Sequence, residues 1–306
     1  MRPLMRIPTK ISCQNPRQFW IVGQTSACIT IVLFVLSSVS IGQLDAPERR
    51  QELAVRVHYN VVYGESAEPM HRADIYSPKA MDADDKLPGI IMIHGGAWTL
   101  GDKSHDAQHA KRLANLGFVV MTINYRLAPL HAFPAQLDDC YLALDWFTKH
   151  SGELGVDTDR MGSWGYSAGG HLSALLALKP KDDLPRLKAC VVGAAPCDLT
   201  QVPLNSSILS GVLGGTRSEY PDRYLEASPI AYVSSDDPPV FLFHGSKDWL
   251  VPPKSSQAMK LALEKVKVPF EYLVVPNKAH LSTFIDQQAS EKSFFFLKER
   301  LILGSK

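Results

Sequence analysis

Short apolar runs alternate with amphipathic stretches along most of this chain. Runs dominated by apolar, β-branched and aromatic residues predict buried strands at 89–93, 118–123, 160–164, 190–192, 240–243 and 270–275. Apolar residues at helical spacing predict helices at 107–116, 134–149, 170–178, 253–265 and 288–302. Apolar strands that alternate with amphipathic helices are typical of a mostly parallel central sheet with helices on both faces. The pattern therefore predicts an α/β fold.

Two stretches depart from this alternation. Residues 55–62 and 71–76 are β-like and flank a turn at 64–69, which predicts an antiparallel hairpin at a sheet edge. Residues 199–235 are rich in Gly, Pro, Ser and Tyr and show little periodicity. We interpret them as an insertion that forms a small cap over the candidate site described below. The sequence shows no internal repeat, and we expect residues 55–306 to form one domain.

The N-terminal segment has a different pattern. All its charged residues before Asp45 are basic, an apolar run follows at 27–36, and small and polar residues follow that run. This order predicts a secretory signal peptide over residues 1–42, a linker at 43–54, and an exported protein, periplasmic or secreted. The alternative is an uncleaved N-terminal anchor, in which case this segment is the membrane contact.

Composition excludes several partners and cofactors. The chain is 45% hydrophobic and 21% charged with a formal net charge of +1, and no basic stripe suggests a nucleic-acid partner. No Cys/His spacing suggests a zinc site, so we expect neither a metal nor an organic cofactor. Cys13 and Cys28 belong to the N-terminal segment. The other three, Cys140, Cys190 and Cys197, allow at most one disulfide.

A glycine-flanked serine is the first candidate for chemistry. Gly165-Tyr166-Ser167-Ala168-Gly169 lies between a predicted strand and a predicted helix, which is the pattern of a nucleophile elbow. Asp248 and His280 each follow a later predicted strand, and the carboxyl ends of parallel strands meet at one edge of a sheet. The order Ser, Asp, His therefore predicts a triad in which His280 is the base and Asp248 orients it. The alternatives for the acid are Asp236, Asp237 and Asp286.

A second glycine-rich segment, His94-Gly95-Gly96-Ala97-Trp98, directly follows the strand that ends at Ile93. Glycine lets backbone N–H groups approach an ester carbonyl closely, so we predict an oxyanion hole formed by the amides of Gly96, Ala97 and Ala168.

Trp98 and Trp249 flank the predicted site. Both are candidates for lining the substrate pocket, with core packing or an exposed rim as the alternatives. Arg126 is interpreted as a structural ion-pair partner, and His171 as a helix residue outside the proton relay. Weaker candidates for an acyl pocket under the cap are Leu209, Val212, Leu213 and Tyr220.

These motifs, together with Asn124-Tyr125-Arg126-Leu127-Ala128-Pro129 and Ala227-Ser228-Pro229-Ile230, resemble the hormone-sensitive-lipase-like and bacterial feruloyl-esterase-like (BD-FAE-type) carboxylesterases over about residues 55–302. The resemblance implies an α/β-hydrolase fold and a serine esterase that forms an acyl-enzyme. The substrate it implies is a small-molecule or carbohydrate-linked ester.

One departure from the lipase-type pattern leaves the activity open. Lipase-type members carry a third glycine where this chain has Ala97-Trp98, and the His-Gly-Gly-x-Trp form is shared with kynurenine formamidases. Arylformamide or peptide hydrolysis on the same triad is therefore an alternative, and a non-catalytic binding protein on this fold is a further one.

Overall fold

The computed structural model describes residues 55–65, 67–79, 86–204 and 206–304. The predicted signal peptide and linker lie outside these residues, as do Cys13 and Cys28. Within the described residues, no helix is long and apolar enough to span a bilayer.

One eight-stranded sheet organises the described part of the chain, in the order β1-β2-β4-β3-β5-β6-β7-β8. The strands are β1 Val55–Val62, β2 Arg72–Pro78, β3 Leu87–Ile93, β4 Val119–Ile123, β5 Val156–Tyr166, β6 Ala189–Gly193, β7 Val240–Gly245 and β8 Phe270–Val275. β1 and β2 form the predicted antiparallel edge hairpin, with Val57 opposite Tyr76. β2 is antiparallel to β4, and all pairs from β4 to β8 are parallel.

The described residues also form nine α-helices. They are α1 Ala107–Asn115, α2 Ala135–Lys149, α3 Ser151–Leu154, α4 Ala168–Leu178, α5 Ser207–Leu213, α6 Pro221–Glu226, α7 Lys254–Val266, α8 His280–Phe284 and α9 Gln287–Lys298, with a π-helical turn at Glu299–Leu303. The five long helices match the sequence prediction to within a few residues. The short ones, α3, α5, α6 and α8, were not predicted.

Two apolar cores cover the two faces of the sheet. Alternate side chains of a strand point to opposite faces, and in β3 Ile91 and Ile93 pack into one core while Ile90 and Met92 pack into the other. Helices α2, α4 and α7 pack into the first core, and α1 and α9 pack into the second. This three-layer arrangement is the α/β architecture that the pattern predicts. The three described cysteines are free and buried, which answers the disulfide question left by the sequence.

The insertion at 199–235 contains α5, α6 and short 3₁₀ turns at Leu199–Gln201 and Pro229–Tyr232. It lies between β6 and β7, so it begins at the carboxyl end of the sheet, where a site is expected. Its first part, up to Leu209, reaches the cavity described below, whereas Val212 and Leu213 pack into the first core.

Candidate active site

Ser167 occupies a strained turn between β5 and α4. Its backbone has φ 56° and ψ −121°, a conformation that non-glycine residues rarely adopt. The flanking glycines are required by close backbone approach, because a Cβ on Gly165 would lie 2.2 Å from the carbonyl oxygen of Gly169. A Cβ on Gly169 would lie 1.9 Å from the carbonyl oxygen of Ile93. The turn thus places Ser167 at the tip of the strand and at the N-terminus of α4, which is how a nucleophile elbow presents its hydroxyl.

The predicted oxyanion donors lie beside Ser167. Gly96, Ala97 and Ala168 line the same cavity as Ser167. Among the backbone hydrogen bonds of the described residues, none uses the amides of these three residues as donor. Ala168 is the first residue of α4, where N–H groups have no intrahelical partner and the helix dipole favours negative charge. These three amides are free to bind an oxyanion.

His280 and Asp248 form the second half of the predicted triad. Nδ1–H of His280 donates to Oδ2 of Asp248 over 2.6 Å. This bond fixes the proton on Nδ1 and leaves Nε2 as the acceptor nitrogen. His280 lines the cavity with Ser167, and Asp248 lies behind it with a fully buried side chain. The arrangement provides a base whose orientation is set by a buried carboxylate.

The alternative acids have other partners. Oδ1 of Asp286 accepts a hydrogen bond from the amide of Ala289 and caps α9, while its Oδ2 pairs with Lys278 at 3.1 Å. Asp236 pairs with Arg186, and Asp237 accepts hydrogen bonds from Ser234. Asp248 is the one among the four candidates that contacts His280.

A buried network around Asp248 was not predicted from the sequence. Oδ1 accepts the amides of Leu250 and Val251 over 3.0 and 2.9 Å. Oδ2 lies 3.2 Å from Nε2 of His244, whose Nδ1 is 2.6 Å from Oγ of Ser256. Burial alone raises the pKa of this carboxyl, but the hydrogen bonds from His244, His280 and the amide of Val251 lower it well below its ordinary value. Asp248 is therefore ionised at neutral pH.

Tyr166, inside the elbow motif, supports the base. Its hydroxyl donates to the backbone carbonyl of His280 over 2.6 Å, and the two rings lie 5.1 Å apart. Tyr166 thus connects β5 directly to the first residue of α8. The only sequence signal for this role was its position next to Ser167.

The segment from His94 to Trp98, which carries the Gly96 and Ala97 amides and is called the oxyanion loop, is supported by Tyr125. The ring of His94 stacks on Tyr125 at 4.3 Å, and the Tyr125 hydroxyl donates to the carbonyl of His94 over 3.0 Å. Nδ1–H of His94 donates to the carbonyl of Gly95 over 2.7 Å. Burial lowers the pKa of His94, so the ring is neutral.

A second buried histidine joins this loop to the helix behind the nucleophile. Nε1–H of Trp98 donates to Nδ1 of His171 over 3.2 Å, and Nε2–H of His171 donates to the carbonyl of Ala227 over 2.6 Å. Indole nitrogen is only a donor and a carbonyl is only an acceptor, so His171 has a single permitted tautomer and no charge. Burial lowers its pKa to about 4, although the hydrogen bond to Ala227 opposes this shift. His171 thus lies outside the proton relay, as expected, but links the oxyanion loop to the insertion.

The cavity above these groups has a volume of about 950 Å³. It contains Ser167, His280, the three oxyanion residues, Trp98 and Leu209 among its lining residues. The other predicted pocket residues lie elsewhere, and the predictions for them are corrected. Val212 and Leu213 are in the core, and Tyr220 lies outside the lining.

Trp249 does not line the cavity and its side chain is 81% exposed, so of the three alternatives given for it the exposed position applies. The turn that follows β7 directs the amides of Leu250 and Val251 at Asp248, which leaves Trp249 facing solvent.

Other polar groups have structural partners. Arg126 forms the predicted ion pair, with Nη2 2.6 Å from Oδ1 of the buried Asp139. No group of three or more His, Cys, Asp or Glu residues in the described part of the chain is arranged to hold a metal ion. The chemistry available at this site is that of a serine, a histidine bonded to a buried carboxylate, and three backbone amides.

Comparisons with known proteins identify the family and relatives of this chain. The BD-FAE family model matches residues 73–263. LipM of Mycobacterium tuberculosis, named a probable carboxylic ester hydrolase, is 34% identical over 238 residues, which are 72% of this chain and 55% of that protein. Esterase LipQ of the same organism is 33% identical over 68% of this chain and 53% of its own length. The chain thus spans about half the length of the curated relatives it matches.

Solved structures confirm the predicted α/β-hydrolase fold. A truncated form of a carbohydrate esterase from gut microbiota has a TM-score of 0.75 at 25% identity, covering 82% of this chain and 98% of that one. Esterase B from Lactobacillus rhamnosis has a TM-score of 0.69 at 22% identity, covering 82% and 89% of the two chains. At that identity the second likeness shows the fold alone.

Proposed function

The chain belongs to the BD-FAE family, and on that premise we propose that it is a serine hydrolase of carboxylic esters. The observation that supports this most is the 2.6 Å bond from Nδ1 of His280 to Asp248, at a cavity that also contains Ser167 and three free amides. The names of its relatives, a carboxylic ester hydrolase and an esterase, agree with this activity.

The geometry supports a two-step reaction. Nε2 of His280 takes the proton of Ser167 as Oγ attacks the ester carbonyl carbon. The carbonyl oxygen gains negative charge and is stabilised by the amides of Gly96, Ala97 and Ala168. When the tetrahedral intermediate collapses, the C–O bond to the alcohol breaks and His280 gives its proton to the departing oxygen.

The acyl-enzyme is then hydrolysed by the same groups. His280 takes a proton from water, the hydroxide attacks the acyl carbon, and the proton returns to Oγ of Ser167 as the acid leaves. The balance is one ester and one water converted to one acid and one alcohol. Ser167 Oγ makes no hydrogen bond among the described residues, and catalytic hydrogen bonds of this kind often tighten only in the substrate complex.

The experiment is active-site labelling combined with hydrolysis. A fluorophosphonate should add to Ser167, and the wild-type protein should hydrolyse a nitrophenyl ester. Ser167→Ala should lose the label and lower kcat by about 10⁴- to 10⁶-fold, because the triad acts as a unit. Ser218→Ala, at an exposed serine outside the cavity, is the matched control and should behave as wild type.

A comparison of turnover of nitrophenyl esters with turnover of formylkynurenine decides between ester hydrolysis and arylformamide hydrolysis. Label without ester turnover, but with release of formate from formylkynurenine, would support the arylformamidase alternative. If Ser167→Ala kept more than a tenth of the wild-type activity, Ser167 would not be the nucleophile.

We further propose that the protein is exported and that residues up to about 42 are removed. The basis is the order of basic, apolar and small residues at the N-terminus. N-terminal sequencing of protein from the native host should begin near Gln43. A mature protein that retains Met1 and fractionates with membranes would instead support the anchor.

A further inference from the structure

The walls of the cavity are apolar on three sides. The insertion contributes Leu199, Val202, Pro203, Ile208 and Leu209. The turn after β7 contributes Leu250, Val251 and Pro252, and α8 contributes Leu281 and Phe284. A volume of about 950 Å³ is at the upper end of the range found for small-ligand sites. The space beside Ser167 is therefore much larger than an acetyl group needs.

The polar groups of the cavity are poorly suited to bind a sugar. Sugar recognition uses several free hydrogen-bonding side chains and an exposed aromatic face. Oγ of Ser255 already bonds the carbonyl of Ala195 and the amide of Cys197, and Asp198 accepts two bonds from Thr200.

The aromatic residues are also unavailable for stacking against a sugar. Trp98 and Tyr166 are buried, and their polar atoms bond His171 and the His280 carbonyl. Trp249, which is exposed, is outside the lining. The remaining polar lining residues with exposure are His105, Gln201, Ser206 and Lys254, and apolar residues make up most of the surface that lines the cavity.

Apolar surface continues from the interior to the mouth of the cavity. Four lining residues from four separate segments are more than half exposed, namely Leu100, Ile208, Leu250 and Leu281. Single exposed apolar residues are ordinary on protein surfaces, but several around one opening indicate a site that binds apolar ligands. A substrate with an apolar chain would cover these side chains and remove them from water.

We propose that this site takes esters whose acyl group is an unbranched aliphatic chain of medium length, in preference to acetyl esters of polysaccharides. The proposal rests on the proposed ester hydrolase function. The cavity favours a hydrocarbon chain, because its three walls and its mouth are apolar. The chain length follows from the volume, since short acyl groups leave most of the lining in contact with water.

The expected effect is a rise of kcat/KM with acyl length. Burial of one methylene favours binding by up to about fourfold. Over a nitrophenyl ester series from acetate to octanoate, kcat/KM of the full chain should rise at least about tenfold in total. Acetylated xylan should be hydrolysed more slowly per ester group than nitrophenyl acetate.

A charge placed on the wall provides the sharper test. Ile208→Asp puts a carboxylate on the lining at a residue that is 58% exposed, so the fold is expected to tolerate it. It should reduce the ratio of octanoate to acetate kcat/KM by about fivefold or more, because a charge in contact with the chain has to be desolvated. The matched control is Leu225→Asp, in the same insertion, 52% exposed and outside the lining. It should leave the ratio at the wild-type value.

The outcomes separate this inference from the proposed function. Turnover of acetate and acetylated xylan at rates above octanoate would overturn the inference and leave the esterase function standing. An equal change of the ratio in Ile208→Asp and Leu225→Asp would also overturn it. Failure of every ester together with failure of fluorophosphonate to label Ser167 would reject the function itself.

Discussion

Acidification should weaken the fold through His171, and the size of the effect can be worked from the structure. His171 is 1% exposed, and burial lowers its pKa to about 4 from an ordinary value of 6.5. In the unfolded chain the same side chain takes up a proton near pH 6.5. Between these values the unfolded state binds more protons than the native state, so stability rises with pH. The stabilisation is fully present above about pH 6.5 and is lost as pH falls toward 4.

The magnitude follows from the difference of 2.5 between the two pKa values, 6.5 and about 4. One pKa unit corresponds to about 1.4 kcal/mol, so the whole contribution is about 3 kcal/mol. Most of it, about 2 kcal/mol, should be lost between pH 7 and pH 4.5. Against a typical unfolding free energy of about 5–15 kcal/mol, this loss is large enough to measure.

The variant that isolates this contribution is His171→Gln, which cannot titrate. At pH 7 it should be less stable than wild type by about 1–3 kcal/mol. The amide of glutamine sits one carbon farther from the backbone than Nδ1 of His171, so it does not keep both the bond from Nε1–H of Trp98 and the bond to the carbonyl of Ala227. At pH 4.5 the difference in unfolding free energy between the two proteins should be smaller by about 2 kcal/mol, because only wild type loses the His171 contribution on acidification.

The assay is urea unfolding of both proteins from pH 7 to pH 4.5, followed by tryptophan fluorescence. Other titrating groups are common to both chains and cancel in the difference. His58→Gln, at an exposed position on β1, is the control and should follow wild type. If wild type and His171→Gln lost stability in parallel over this range, His171 would not be a buried neutral histidine and the hydrogen-bond assignment would be wrong.

The remaining predictions concern the triad and its supports. Asp248→Asn should lower kcat by about 10³- to 10⁴-fold by favouring the wrong histidine tautomer. Asp286→Asn should leave kcat within about twofold, because asparagine also caps a helix. A large loss of kcat in Asp286→Asn and a small one in Asp248→Asn would make Asp286 the acid. Tyr166→Phe should lower kcat by about tenfold with little change in KM, since one hydrogen bond that positions His280 is lost; an unchanged kcat would show that the bond has no positioning role.

The sheet and the contact between Asp248 and His280 were predictable because their signals are local. A strand buried on both faces must be apolar at nearly every position, so β3, β4 and β7 stand out as uninterrupted runs. Asp248 and His280 each follow their strands within a few residues, so strand order alone brings them to one edge. Short helices such as α5 and α8 give no periodic signal, because five to seven residues make fewer than two full turns.

The supporting contacts were not predictable because they join distant parts of the chain. Tyr166 and His280 are 114 residues apart, and Trp98 and His171 are 73 residues apart. No local pattern shows which tyrosine or histidine will face which partner. The exposure of Trp249 was not predictable either, because it depends on the turn in which the amides of Leu250 and Val251 bond the carboxylate of Asp248.

The oxyanion loop shows why such contacts are needed. Gly96, Ala97 and Trp98 all have positive φ, at 123°, 51° and 60°. The conformation is ordinary for glycine, but for alanine and tryptophan it costs about 1–3 kcal/mol each. It persists because the loop is held on two sides, by the bond from Trp98 to His171 and by the bond from the amide of Ala128 to the carbonyl of Trp98, which is 2.9 Å long.

This strain connects the stability of the fold to catalysis. His171 lies in α4, the helix whose first amide, that of Ala168, is one of the proposed oxyanion donors. The bond from Trp98 to His171 therefore fixes the loop carrying the Gly96 and Ala97 amides relative to that helix. Loss of this bond lets the strained loop relax, and the two sets of donors then no longer converge on one oxygen. His171→Gln should accordingly lower kcat more than it raises KM, because the donors act on the charge of the transition state rather than on the bound ester.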